Sequence, residues 1–136
     1  MSLFYHQSGN GQPLIILHGL FGSSDNWRSI GNYLSRFFEV YLVDLRNHGR
    51  SPHSDEFSYE IMANDIEEFI SLKKLNSPIL IGHSMGGKVA MTYALNYPEK
   101  ISKLIIVDIA PKYYAPHHQK YIDAFNSIDI NKVNSQ

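Results

Sequence analysis

Four short apolar runs, each closed by turn residues, constrain this fold more than any other feature of the sequence. They are Pro13–Leu17 (PLIIL), Glu39–Leu45 (EVYLVDL), Ile79–Gly82 (ILIG) and Ile101–Ile109 (ISKLIIVDI). Runs this short, rich in Ile, Leu and Val, favour strands over buried helices. Continuous apolarity, rather than strict alternation, is what a strand needs when both faces of its sheet are covered. The segments between the runs have helical spacing. Ser23, Ser24, Asp25 and Asn26 offer N-caps before Trp27, Ile30, Tyr33, Leu34 and Phe37. Tyr59–Lys74 places Ile61, Ile66, Phe69, Ile70 and Leu72 at apolar positions before Asn76-Ser77-Pro78 breaks it. Met85–Tyr97 reads as a further helix, stopped by the restriction that Pro98 places on the residue before it. The β-α-β-α-β-α-β order predicts a mostly parallel sheet with right-handed crossovers and helices on both faces. Leu3–His6 adds a short alternating segment, and Gly9-Asn10-Gly11 a turn.

Composition excludes several classes. A net charge of −1 gives no broad attraction to nucleic acid or anionic lipid. With no cysteine, disulfides, thiolate metal sites and a cysteine nucleophile are ruled out. The seven histidines are scattered and form no metal-ligand spacing, so no metal and no cofactor are expected. No apolar run reaches the ~20 residues of a membrane span. The N-terminus has no secretory pattern, and a cytoplasmic location is expected.

The chemistry concentrates at Gly82-His83-Ser84-Met85-Gly86, a G-x-S-x-G pattern that follows one predicted strand directly and opens a helix. That context is the one a nucleophile elbow requires. Such a turn strains the serine backbone, and side chains two positions either side of it would collide with the turn. Acyl transfer also needs two N–H donors aimed at an oxyanion. The N–H of Met85 is one candidate. The other is that of Leu20, or of its neighbour Phe21, in LHGLFGSSDNW. His18, beside that loop, reads as a structural histidine bonded to local backbone. Asp108 ends the fourth apolar run, where a carboxylate needs a partner. It reads either as an acid for a catalytic histidine or as a turn cap.

Three blocks, His18-Gly19-Leu20, DLRNHGRS (Asp44–Ser51) and GHSMGG (Gly82–Gly87), resemble the α/β-hydrolase superfamily, and the surrounding residues are similar to small bacterial acyl-ester hydrolases. The resemblance implies an α/β-hydrolase fold whose C-terminal core part is missing. Residues 1–111 would be the N-terminal part of the core and residues 112–136 the start of a cap or lid. It implies Ser84 as nucleophile, Met85 and Leu20 as the oxyanion hole, and Asp108 as the acid. Asp44, Arg46, His48 and Ser51 would brace the loops, and His83 would pack beneath the turn. The implied activity is hydrolysis of carboxylic esters or thioesters through an acyl-enzyme. C–C hydrolysis, perhydrolysis, acyl transfer and a non-catalytic binding role are the alternatives. The implied partner is a small acyl ester, with a separate C-terminal half or a second copy as further possibilities. Chain order in this superfamily puts the base histidine after the acid. Only His117 and His118 follow Asp108, in the lid-like tail, so the base is expected outside this chain.

Overall fold

A computed structural model describes residues 1–114 together with Asp123, Ala124, Asn126 and Ser127. Five strands form one sheet: β1 (Tyr5–Ser8), β2 (Pro13–Leu17), β3 (Glu39–Val43), β4 (Ile79–His83) and β5 (Lys103–Val107). Their spatial order is β1-β3-β2-β4-β5. β1 runs antiparallel to β3, and all other pairings are parallel. Three α-helices connect them: α1 (Arg28–Leu34), α2 (Tyr59–Lys73) and α3 (Met85–Asn96).

Successive residues of the central strands separate into two cores, which is why their sequences are apolar without alternation. Ile15, Leu17, Tyr41, Val43 and Leu80 face Met62, Ile66 and Phe69 of α2 and Val89 and Tyr93 of α3. Leu14, Ile16, Val40, Leu42, Ile79 and Ile81 face the other way, toward Trp27, Leu34 and Phe38. The helices therefore cover both faces, as the strand patterns predict. α2 begins at Ser58, whose hydroxyl accepts from the N–H of Ile61 (3.2 Å), and ends where Lys74 turns left-handed at φ 54°.

Two elements depart from the sequence reading. The predicted Trp27–Phe37 helix is a 3₁₀ turn (Ser24–Trp27) followed by the short α1. Its inward stripe runs through buried Gly31 and half-buried Trp27, Leu34 and Phe38, while Ile30, Tyr33 and Phe37 are exposed. Gly31 sets that rotation. A Cβ there would lie 2.9 Å from Leu42 Cδ1, so the glycine is the point of closest approach to the sheet. The run Ile101–Ile109 contributes only Lys103–Val107 to the sheet, and Leu104 and Ile105 are exposed. Among the described residues β5 pairs with β4 alone, so the second neighbour that its sequence anticipates is not there.

Register positions the site. Leu17 pairs with Gly82, Gly82 with Ile106 and His83 with Val107. The carboxyl ends of β2, β4 and β5 therefore lie level, and each strand hands over to a loop at the same edge. Ligands of open parallel sheets bind outside this edge.

Candidate active site

Ser84 joins β4 to α3 with φ 51° and ψ −113°, a conformation costly for any residue with a side chain. Two backbone hydrogen bonds hold it there. The Ser84 N–H donates to the Val107 carbonyl (3.0 Å), and the Gly86 N–H donates to the His18 carbonyl (3.1 Å). The turn is thus tied to the ends of both neighbouring strands. The glycines on either side are required by space. A Cβ on Gly82 would lie 2.3 Å from the Gly86 carbonyl oxygen, and one on Gly86 would lie 2.5 Å from the backbone oxygens of Leu17 and His18.

A cleft of about 570 Å³ opens over the serine, walled by Leu20, Phe57, Tyr59, Ser84, Met85, Lys88 and Asp108 and by residues from Ile109 to Tyr114. The four residues singled out in the sequence, Ser84, Met85, Leu20 and Asp108, therefore meet in one cleft. Among the described residues, the backbone N–H groups of Leu20 and Met85 donate to no protein acceptor. Phe21 adopts φ 61° and is exposed. Phe57, Tyr59 and Lys88 were not singled out in the sequence. Lys88 alone had a signal there, since it lies one helical turn beyond Ser84.

Asp108 also turns left-handed, at φ 57°. Its side chain is 85% exposed, so the burial cost inferred from the sequence does not arise. The contact it makes is with His83, whose Nε2 lies 3.9 Å from Asp108 Oδ2. His83 is not packed beneath the turn as expected. Its ring is partly open, lies edge-on to Trp27 at 6.0 Å, and lines a separate cavity of about 530 Å³ with His18 and Val107. His83 alternates with Gly82 and so continues the face of β4 that carries Ile79 and Ile81, the side on which Trp27 packs. His117 and His118 lie outside the described residues.

His18 is buried and fully engaged. Its Nδ1–H donates to the Gly19 carbonyl (2.8 Å), and its Nε2 accepts from the Leu45 N–H (3.0 Å). This pairing fixes the neutral tautomer with the proton on Nδ1. Burial pushes the imidazole pKa below its ordinary value, against the opposing pull of the Gly19 carbonyl. Protonation thus favours the unfolded chain. Stability from this group is complete above the unfolded pKa of ~6.5 and is lost as pH falls toward the lower folded value. Urea midpoints should drop between pH 7.5 and pH 5, with a slope from His18 of up to ~1.4 kcal/mol per pH unit. His18→Asn should flatten that decline, and an equally steep decline in the variant would contradict the assignment.

The Asp44–Ser51 loop braces the site. Asp44 accepts from the N–H groups of Ser24 (2.6 Å) and Arg50 (2.8 Å), joining two strand-end loops. Burial pushes its carboxyl up, but these N–H donors outweigh burial and hold it below the usual carboxylate range. Gly49 makes this possible, because a Cβ there would lie 2.1 Å from Asp44 Oδ2. Arg46 forms a buried two-point pair with Asp65 of α2 (2.6 and 2.9 Å) and donates to the Glu56 carbonyl (2.8 Å). Ser51 Oγ donates to the Asp44 carbonyl and accepts from the Phe4 N–H. His48 stacks on Phe57 at 6.3 Å, a wall of the cleft. None of these four side chains lines the serine cleft. Among the described residues no three metal-binding side chains gather, and no helix is long and apolar enough to cross a membrane.

Known proteins resemble this chain in sequence and fold. A family model described as the alpha/beta hydrolase fold matches residues 12–132. A Saccharomyces cerevisiae protein named "Probable alcohol acetyltransferase" is 49% identical over 127 residues, covering 88% of this chain and 37% of its own length. The "sn-1-specific diacylglycerol lipase ABHD11" of Danio rerio is 42% identical, covering 90% and 40%. A solved structure titled "Marine microorganism esterase" superposes with a TM-score of 0.91 at 54% identity, over 93% of this chain and 51% of that one. The chain thus spans about two fifths of the curated relatives' length and half of the solved esterase. With the elbow, the level strand ends and this match in agreement, the chain belongs to the alpha/beta hydrolase fold family.

Proposed function

We propose that these residues form the nucleophile side of a serine hydrolase that cleaves small carboxylic esters or thioesters. The observation that carries the reading is the backbone of Ser84, held at φ 51° at the mouth of a cleft. Strain of that kind persists only where the surroundings enforce it, and functional sites are where it concentrates. Ser84 Oγ attacks the acyl carbonyl while a base takes its proton. The carbonyl electron pair moves onto oxygen, where the free N–H groups of Met85 and Leu20 receive it. The pair then returns, the alcohol or thiol leaves with the proton from the base, and an ester to Ser84 remains. Water repeats the sequence and releases the acid.

Asp108 serves in this reading as the acid that orients the base. We place the base outside residues 1–114, because no histidine among them lines the serine cleft, His18 has both ring nitrogens engaged and His83 lines the neighbouring cavity. Residues 1–111 are read as core and residues 112–136 as the entry to a cap. Relatives named esterase and diacylglycerol lipase support ester cleavage. The yeast relative's name favours a second reading, in which an alcohol replaces water in the second step.

The test is p-nitrophenyl acetate and butyrate turnover by the full-length polypeptide, with and without added ethanol. Free acid as the main product supports hydrolysis, and ethyl ester as the main product supports transfer. No acyl release, together with no fluorophosphonate labelling of Ser84, would overturn both readings.

A further inference from the structure

The geometry points to Lys88 as a positioning residue that holds Asp108 in register with Ser84, an inference that rests on the acid role proposed above. Asp108 is poorly secured by its own side chain. That side chain is 85% exposed, with His83 no nearer than 3.9 Å, and its backbone is left-handed. Its position must therefore come from the chain on either side. Before it, the Val107 carbonyl accepts from the Ser84 N–H at 3.0 Å. After it, the Ala110 carbonyl accepts from Lys88 Nζ at 2.9 Å. Both tethers reach the first turn of α3, one at the nucleophile and one four residues on, where the Lys88 N–H donates to the Ser84 carbonyl (3.1 Å).

The second tether is built in depth. Lys88 Nζ also donates to the Lys112 carbonyl, and its charge lies 5.1 Å from the centre of the Tyr114 ring. The Tyr114 hydroxyl accepts from the Ala110 N–H (3.1 Å), so Ala110 is held by both of its backbone polar groups. Gly87 leaves room for the same segment, since a Cβ there would lie 2.5 Å from Ile109 Cγ2. An ammonium suits this role, because three donors on one compact centre can serve two carbonyls and an aromatic face together.

The test compares Lys88→Met with the parent in the full-length polypeptide, using p-nitrophenyl butyrate. A loosened acid should lower kcat ~10–100-fold, as ångström-scale misplacement of a catalytic group does, with KM nearly unchanged. The acid limb of the kcat/KM profile should also move to lower pH, because the base loses the carboxylate that favours its protonated form. A purely structural lysine would leave that limb in place or, through loss of its charge beside the cleft, move it to higher pH. Should Lys88→Met fail to fold, Tyr114→Phe carries the test through a smaller kcat loss and the same pH shift. A kcat within twofold of the parent, an acid limb that stays in place or moves to higher pH, or a raised KM with unchanged kcat would overturn the inference. Ser84→Ala, assayed alongside, separates the two levels. If it keeps turnover, the serine mechanism itself fails. If it is inactive while the Lys88 and Tyr114 variants behave as the parent, only this inference fails.

Discussion

Replacing Ser84 with alanine should lower ester turnover by the full-length polypeptide ~10⁴–10⁶-fold, the range seen when a triad nucleophile is removed. The oxyanion donors would survive, since Met85 and Leu20 contribute backbone groups, so a residual rate above the uncatalysed one is expected. KM should change little, because the walls of the cleft remain. Fluorophosphonate labelling should vanish with the hydroxyl. Stability supplies an independent check. Ser84 sits at φ 51°, where a Cβ is unfavourable, so Ser84→Gly should be as inactive as Ser84→Ala yet more stable by ~1 kcal/mol. A stability gain coupled to lost activity would identify strain maintained for function. Turnover within tenfold of the parent in Ser84→Ala would remove the serine from the chemistry.

Much of this site is legible in the sequence because its parts are local. The elbow needs glycines at fixed offsets from Ser84, and the contacts at Gly82 and Gly86 show the collisions that fix them. Leu20 and Met85 follow from their places after β2 and at the start of α3. The central strands are legible because burial on both faces leaves no polar position. What is hidden depends on distant packing. The face of α1 is set by Gly31 against Leu42, and helical spacing alone selected Ile30, Tyr33 and Phe37, which are exposed. The surroundings of Asp108 are set by the turn after β5: the sequence asks for a partner without naming it, and His83 at 3.9 Å and the 85% exposure of the side chain follow from packing. The partner of Arg46 lies 19 residues away on another element, a separation that no local pattern reports.

That pair carries the second large effect. Arg46 and Asp65 side chains are only 6% and 5% exposed, and two hydrogen bonds join them. Arg46→Met should destabilise the full-length polypeptide by ~3–5 kcal/mol, chiefly because the Asp65 carboxylate stays buried without its partner. Against a typical total of 5–15 kcal/mol, that is a large share. The double variant Arg46→Met, Asp65→Leu removes both charges and leaves no orphan, so it should cost clearly less than the sum of the single changes. Urea unfolding of the four proteins in this cycle provides the measurement, and additive losses would mean that the pair is not coupled. Activity should follow a different pattern. Arg46 also donates to the Glu56 carbonyl, next to Phe57 on the wall of the cleft. The double variant should therefore regain stability without regaining kcat/KM, because its leucine and methionine restore the packing between the loop and α2 but not the tether that places Phe57.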